Sequence, residues 1–243
     1  AKVAASSLLR GARGNSGVIL SIIFKGIAKG LENLDEINGL NLVSALGLGV
    51  DAAYKSVMKP TEGTMLTVAR VAYERGKIAA HFNNSVVYVW SEVCLGAREA
   101  LKTTPELLPV LKKAGVVDAG GKGLCLIFEG MLSVFKNGII VENTNKPFDT
   151  EKDDTFRSAA AMFDDDIRFT YCTEFIVGRS INSKLKPIKL RKYLENIGDC
   201  VVVVDDDDII KVHVHTENPG KALQEGLKFG ELLTVKVENM KEQ

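Results

Sequence analysis

The sequence predicts a helical domain followed by a smaller α+β domain, and three observations carry the prediction. Apolar residues recur at a 3.6-residue period up to about Val141. The period is lost between Glu142 and Asp166, and beyond that it becomes two. These changes divide the 243 residues into a helical domain (1–141), a polar connector (142–165) and an α+β domain (166–243).

In the first segment, Val3 to Leu9 is helix-like, and Val18, Ile19, Ile22, Ile23 and Ile27 share one face of a helix. Leu40 to Val57 and Met65 to Ala80 repeat the pattern. Small polar residues or prolines mark helix starts after Pro60-Thr61-Glu62-Gly63, Asn83-Asn84-Ser85, Thr103-Thr104-Pro105 and Asp118-Ala119-Gly120-Gly121. Trp90, within Val86 to Val93, reads as part of a buried helix, and Cys94 and Cys125 read as small core residues. The connector carries Asn143 to Pro147, two acidic runs and one short helix over Phe156 to Phe163.

The last segment orders its elements β-α-β-β-α-β: strands over 171–177, 200–205, 209–216 and 232–238, and helices over 186–197 and 219–229. This is the split βαβ, ferredoxin-like order. Asp205 to Asp208 supply the central hairpin turn, and strand order 4-1-3-2 makes the first and third strands central, parallel neighbours.

Composition narrows the function. With 46% hydrophobic and 26% charged residues the chain is ordinary and globular, and 31 basic residues balance 31 acidic ones. No broad field attracts nucleic acid or anionic membrane, so phosphate chemistry requires a local site. The four cysteines never form C-x-x-C and read as reduced. No apolar run reaches the ~20 residues of an integral membrane segment, which points to a cytoplasmic protein.

Three glycine-bearing helix starts carry the chemistry of the first domain. Gly11-Ala12-Arg13-Gly14-Asn15-Ser16-Gly17 lets backbone approach closely and sets Asn15 and Ser16 at a helix N-terminus, where free N–H groups and the dipole suit a phosphate. It is neither a Walker loop nor a dinucleotide fingerprint, and its spacing alone also fits a simple helix break capped by Ser16. Pro60 to Thr67 and Val117 to Gly123 repeat the design, and ordinary interhelical turns would show the same residues.

In the second domain, period two places His213 and His215 on one strand face. Ile210, Val212 and Val214 turn to the opposite, helix-covered face. Cys172 on the neighbouring strand completes a thiolate and two imidazoles on the face that helices leave uncovered, a donor set suited to zinc. A polar strand face is the alternative, and Glu174 or a water stands as a candidate for the remaining ligand. His81 reads as a residue of a helix C-terminus.

Gly11 to Ser21, Glu62-Gly63-Thr64-Met65-Leu66 and Asp118-Ala119-Gly120-Gly121-Lys122-Gly123-Leu124 resemble, in order and spacing, the nucleotide-binding L domain of dihydroxyacetone kinase, above all the A subunit of fatty acid kinases. The resemblance implies a helical barrel binding ATP or ADP with Mg2+. Gly14, Asn15, Ser16 and Gly17 would line the phosphates, Thr64 and Met65 the nucleoside side, and Asp118 with Gly120 the same rim. It also implies a zinc site at Cys172, His213 and His215, transfer of the γ-phosphate to a fatty acid carboxylate, and a separate fatty-acid-binding partner protein, and it admits a homodimer.

A kinase of small hydroxyketones and a non-catalytic zinc scaffold are the alternative readings. The family's magnesium-binding P-D-G-D-T-G segment does not occur in these residues. Its absence, and a chain that opens on Ala1 directly into a helix-like run, fit a piece of a longer protein that also lacks the family's C-terminal domain. Without that metal clamp the piece alone is expected to be inactive.

Overall fold

In the computed structural model, residues 1–138, 168–180 and 185–242 are described; the connector and its expected helix over Phe156 to Phe163 lie outside them. The apolar stripes fold as helices α1 (Lys2–Gly11), α2 (Gly14–Gly30), α3 (Gly39–Ser56), α4 (Met65–Phe82), α5 (Val86–Leu107), α6 (Pro109–Ala114) and α7 (Ala119–Asn137). Strands β1 (Tyr171–Arg179), β2 (Gly198–Asp205), β3 (Ile209–Thr216) and β4 (Gly230–Asn239) follow, with α8 (Pro187–Ile197) between β1 and β2 and α9 (Pro219–Gly226) between β3 and β4.

Two compact units result. One comprises Ala1–Glu32, Leu48–Pro60 and Ile167–Gln243, the other Asn33–Gly47 and Thr61–Asp166. The first two helices therefore fall in the same unit as the sheet, a grouping that periodicity along the chain does not announce.

In the unit with α4 to α7, Trp90 is fully buried. It meets Phe128 and Phe135 edge-on at ring separations of 5.2 and 5.9 Å, and its indole N–H donates to the Phe128 carbonyl at 3.0 Å. Cys94 and Cys125 are buried, and burial pushes both thiols up to about 11, as core residues. The helix start expected at Thr103-Thr104-Pro105 is not one, because α5 runs through Pro105 to Leu107. Proline cannot donate to the Leu101 carbonyl, and the Thr104 hydroxyl donates to it instead at 2.7 Å. The helix start falls at Pro109, the first residue of α6.

In the other unit the sheet order is β2-β3-β1-β4, every neighbouring pair antiparallel. The parallel pairing expected for the first and third strands is thus corrected. The crossover through α8 makes β1 and β2 parallel with a gap between them, and β3, joined to β2 by a tight turn, fills that gap antiparallel to both. Phe175, Val177, Ile210, Val212 and Val214 point into one core with Leu190, Leu194 and Ala222 of the two helices.

Candidate metal centre and glycine-rich turn

Antiparallel register sets Cys172 opposite His215 and Glu174 opposite His213, all four on the face away from α8 and α9. The candidate ligand atoms of Cys172, His213 and His215 lie within 4.8 Å of one another. The two histidines present Nε2 to Nε2 at 3.2 Å. A tetrahedral zinc with Zn–N of ~2.0 Å sets two nitrogens about 3.3 Å apart, so the pair fits that ion without rearrangement.

Carboxylates stand behind both rings. His213 Nδ1–H donates to Glu174 Oε1 at 2.8 Å, and His215 Nδ1 lies 3.6 Å from Asp199 Oδ1. Such partners hold the proton on Nδ1 and leave Nε2 as the donor to a metal. Burial, then the neighbouring His213 charge, push His215 below its ordinary value. Burial raises the Cys172 thiol to about 11, and a bound cation would overcome that cost by taking the thiolate.

Two expectations about this face change. Glu174 lies outside the cluster of candidate ligand atoms, its Oε1 accepting from His213 and from the backbone N–H of Gly14, the latter at 2.6 Å. Burial raises the Glu174 carboxyl, but the His213 hydrogen bond and charge, the Gly14 N–H and the Lys211 charge outweigh it and hold the group below its ordinary range.

Nor is the face uncovered. Exposure falls to 2% at His213, 5% at Lys211 and 7% at Glu174, because the turn between α1 and α2 lies over them and the Lys211 ammonium donates to the Ala12 carbonyl. Arg10, Arg13, Lys211 and Lys236 surround Glu174 around a cavity of about 370 Å3.

The same turn is the first glycine motif. Gly14 opens α2 at φ +61°, a left-handed conformation that glycine alone adopts without strain, and nothing stands within 4 Å of where a Cβ would be. The preceding Arg13 gives the helix no side-chain cap, so the Ser16 cap suggested by spacing is not made. The Oδ1 of Asn15 is buried with no hydrogen-bond partner among the described residues. An orphaned acceptor at an uncapped helix start is a place where a ligand donor or a metal-bound water would be accommodated.

The remaining predicted residues belong to the second unit, where two motifs meet. Asp118 caps α7 by accepting from Gly121 N at 2.6 Å, and its carboxylate also accepts from the Met65 backbone, tying the start of α7 to that of α4. Thr64 caps α4 by accepting from Leu66 N at 3.4 Å and donates to the Thr61 carbonyl at 2.7 Å. Gly120 lies in the first turn of α7.

Asp199 and Cys200 are absent from the candidates that sequence reasoning yields. A bulge between Asp199 and Val202, with Cys200 at φ 50°, brings both against His215 in a second group of potential ligand atoms. Gly198-Asp199-Cys200 ahead of a valine run is the signal that could have found them.

The chain belongs to the DAK2 family. The DAK2 domain matches residues 1–133, and the middle domain of proteins like the A subunit of fatty acid kinase matches residues 168–243. Among its relatives, Protein YloV of Bacillus subtilis (strain 168) is 43% identical over 240 residues, which are 97% of this chain and 43% of that protein. An uncharacterized protein of Staphylococcus aureus (strain bovine RF122 / ET3-1) is 42% identical over 245 residues, covering 100% of this chain and 44% of its own length. The chain spans less than half the length of these relatives.

Proposed function

We propose that the chain is the nucleotide-binding and zinc-binding part of the A subunit of a fatty acid kinase, built as a DAK2-type helical barrel with a ferredoxin-like βαββαβ domain. The single observation that carries the nucleotide reading is the Gly14–Gly17 helix start. Its first glycine is left-handed beneath open space, Asn15 keeps a buried unpartnered acceptor, and cationic Arg10 and Arg13 line the adjoining cavity. Ser16 and Gly17 complete the phosphate cradle, and Thr64, Met65, Asp118 and Gly120 are the further residues proposed for nucleotide binding. Cys172, His213 and His215 hold zinc.

In the whole protein the γ-phosphate of ATP, with Mg2+, passes to a fatty acid carboxylate presented by a separate lipid-binding protein. Zinc supplies a cross-link between β1 and β3, while the residues of this chain bind and orient phosphates. Residues 1–243 contain no P-D-G-D-T-G segment and on this reading form no acyl phosphate by themselves.

Calorimetric titration of the 243-residue chain with ADP tests the site. Ser16→Ala and Thr64→Ala should each weaken binding by about 0.5–1.5 kcal/mol, the net contribution of one hydrogen bond. Wild-type affinity in both variants overturns the assignment, and absence of any ADP binding favours the zinc scaffold.

A further inference from the structure

The cavity of about 370 Å3 between the first glycine-rich turn and the sheet gathers more positive charge than its lining answers. Arg10 and Arg13 reach it from the turn, Lys211 from β3 and Lys236 from β4. Gly14 to Gly17, the phosphate cradle proposed above, do not line it. We propose that the cavity is a second, separate phosphate site, which holds the phosphoryl group of the acyl phosphate product. Its assignment to the acceptor rests on the kinase reading above; its preference for a dianion does not.

Register explains why the two lysines meet there. Glu174 lies opposite His213 on β3 and Lys236 on β4, while Ile176 lies opposite Lys211 and Thr234. Period two along each strand therefore puts Lys211 and Lys236 on one face, on either side of β1. The turn between α1 and α2 closes over that face, and Lys211 is left only 5% exposed.

An ammonium has three N–H groups to give, and among the described residues Lys211 gives one, to the neutral carbonyl of Ala12. Burial and the charge of Arg13 push this ammonium below its ordinary value, with Glu174 opposing them. Glu174 is the one carboxylate in the lining, and it already accepts from His213 and Gly14; Lys236 pairs with Glu238 at 2.8 Å. Setting Glu174 against Lys211 leaves the charges of Arg10 and Arg13, neither of which forms a salt bridge among the described residues. A phosphoryl dianion answers two such charges and offers three acceptor oxygens to donors on opposite walls, whereas a carboxylate brings one charge and two oxygens.

Titration of the 243-residue chain with acetyl phosphate, the smallest acyl phosphate, reads the site by NMR at about 0.15 M salt, where loose surface attraction is screened. The amide signals of Ile176, Thr234 and Lys236 should move together. Inorganic phosphate should move the same signals, and acetate should bind roughly tenfold more weakly or worse. Lys236→Gln and Arg10→Gln should each weaken acetyl phosphate roughly tenfold, the scale of one charge-assisted hydrogen bond. Lys211→Met should weaken it at least as much, and the two exposed positions decide the matter where that buried change unfolds the sheet. Repeating the titration with ADP at saturation separates acceptor from nucleotide: acetyl phosphate should still bind, with its affinity little changed.

Acetate that binds as tightly as acetyl phosphate overturns the proposal, as do wild-type affinities in Lys236→Gln and Arg10→Gln or the absence of any shift at Ile176, Thr234 and Lys236. Displacement of acetyl phosphate by ADP also overturns it, because the cavity then belongs to the nucleotide's own phosphates. A wild type that binds no ADP removes the nucleotide reading alone, and the titration with acetyl phosphate still decides the cavity.

Discussion

Asp118 shows how much one side chain can organise. It caps α7 through Gly121 and reaches the Met65 backbone at the start of α4, so two motifs separated by fifty residues share one carboxylate. Burial raises its carboxyl above the ordinary value, against the two backbone N–H groups that favour the anion. Replacement by Ala removes the cap and should cost about 0.5–2 kcal/mol in urea unfolding.

Asn caps as well and carries no charge to desolvate, so Asp118→Asn should be near neutral or stabilising at pH 7. The sign follows from linkage: a carboxyl raised in the folded state binds more protons folded than unfolded, so wild-type stability falls as pH rises from below the unfolded value through the folded one. The Asn variant should therefore gain on the wild type across that window and hold a constant advantage above it. Unfolding at pH 3 and pH 7 checks this, and a wild type that gains on Asn with rising pH would contradict it.

At the scale of elements, the close approach of α2 and α3 rests on two glycines. A Cβ at Gly26 would run into the backbone of Gly49, and one at Gly49 into the Ile23 backbone, so neither position tolerates a methyl group without the helices separating. Gly26→Ala raises helix propensity yet should destabilise by about 1–3 kcal/mol, the usual cost of overpacking. Thermal unfolding measures it, and an unchanged or higher midpoint would show that the helices can part freely.

Helices and strands themselves are largely legible, because burying one face leaves a periodic trace: Ile209–Thr216 agrees with its expected bounds to the residue, and α3 and α4 agree within two. Pro105 misleads because its helix continues only with the help of the Thr104 hydroxyl, a compensation that a lone proline does not announce. The cluster of Cys172, His213 and His215 is readable as H-x-H plus a cysteine. Two features are not: the turn lying over His213, and the hydrogen bond from that turn to Glu174. Both depend on packing between segments some 160 residues apart, where periodicity carries no information.

For the molecule as a whole, the candidate metal centre would connect strands whose residues are forty positions apart in the chain, Cys172 on β1 and His213 and His215 on β3. The unfolded chain offers the same three side chains scattered, so on the proposed zinc reading its affinity would be weaker, and the difference would appear as stability of the folded state. With free zinc at a thousand times its dissociation constant the contribution is about 4 kcal/mol. Elemental analysis should find about one zinc per chain, absent in a His213→Ala, His215→Ala double variant.

Chelation should lower the melting midpoint of the wild type, and added zinc should restore it. The double variant should melt low and ignore both treatments. Ion pairs on the same unit, such as Lys25 with Asp206 at 2.9 Å, are partly exposed and worth at most about 1 kcal/mol each, so they cannot mask a shift of that size. A wild type purified without chelator that contains no zinc, and melts at one temperature with or without it, would remove the metal from this fold and leave Cys172, His213 and His215 as the polar face of a sheet.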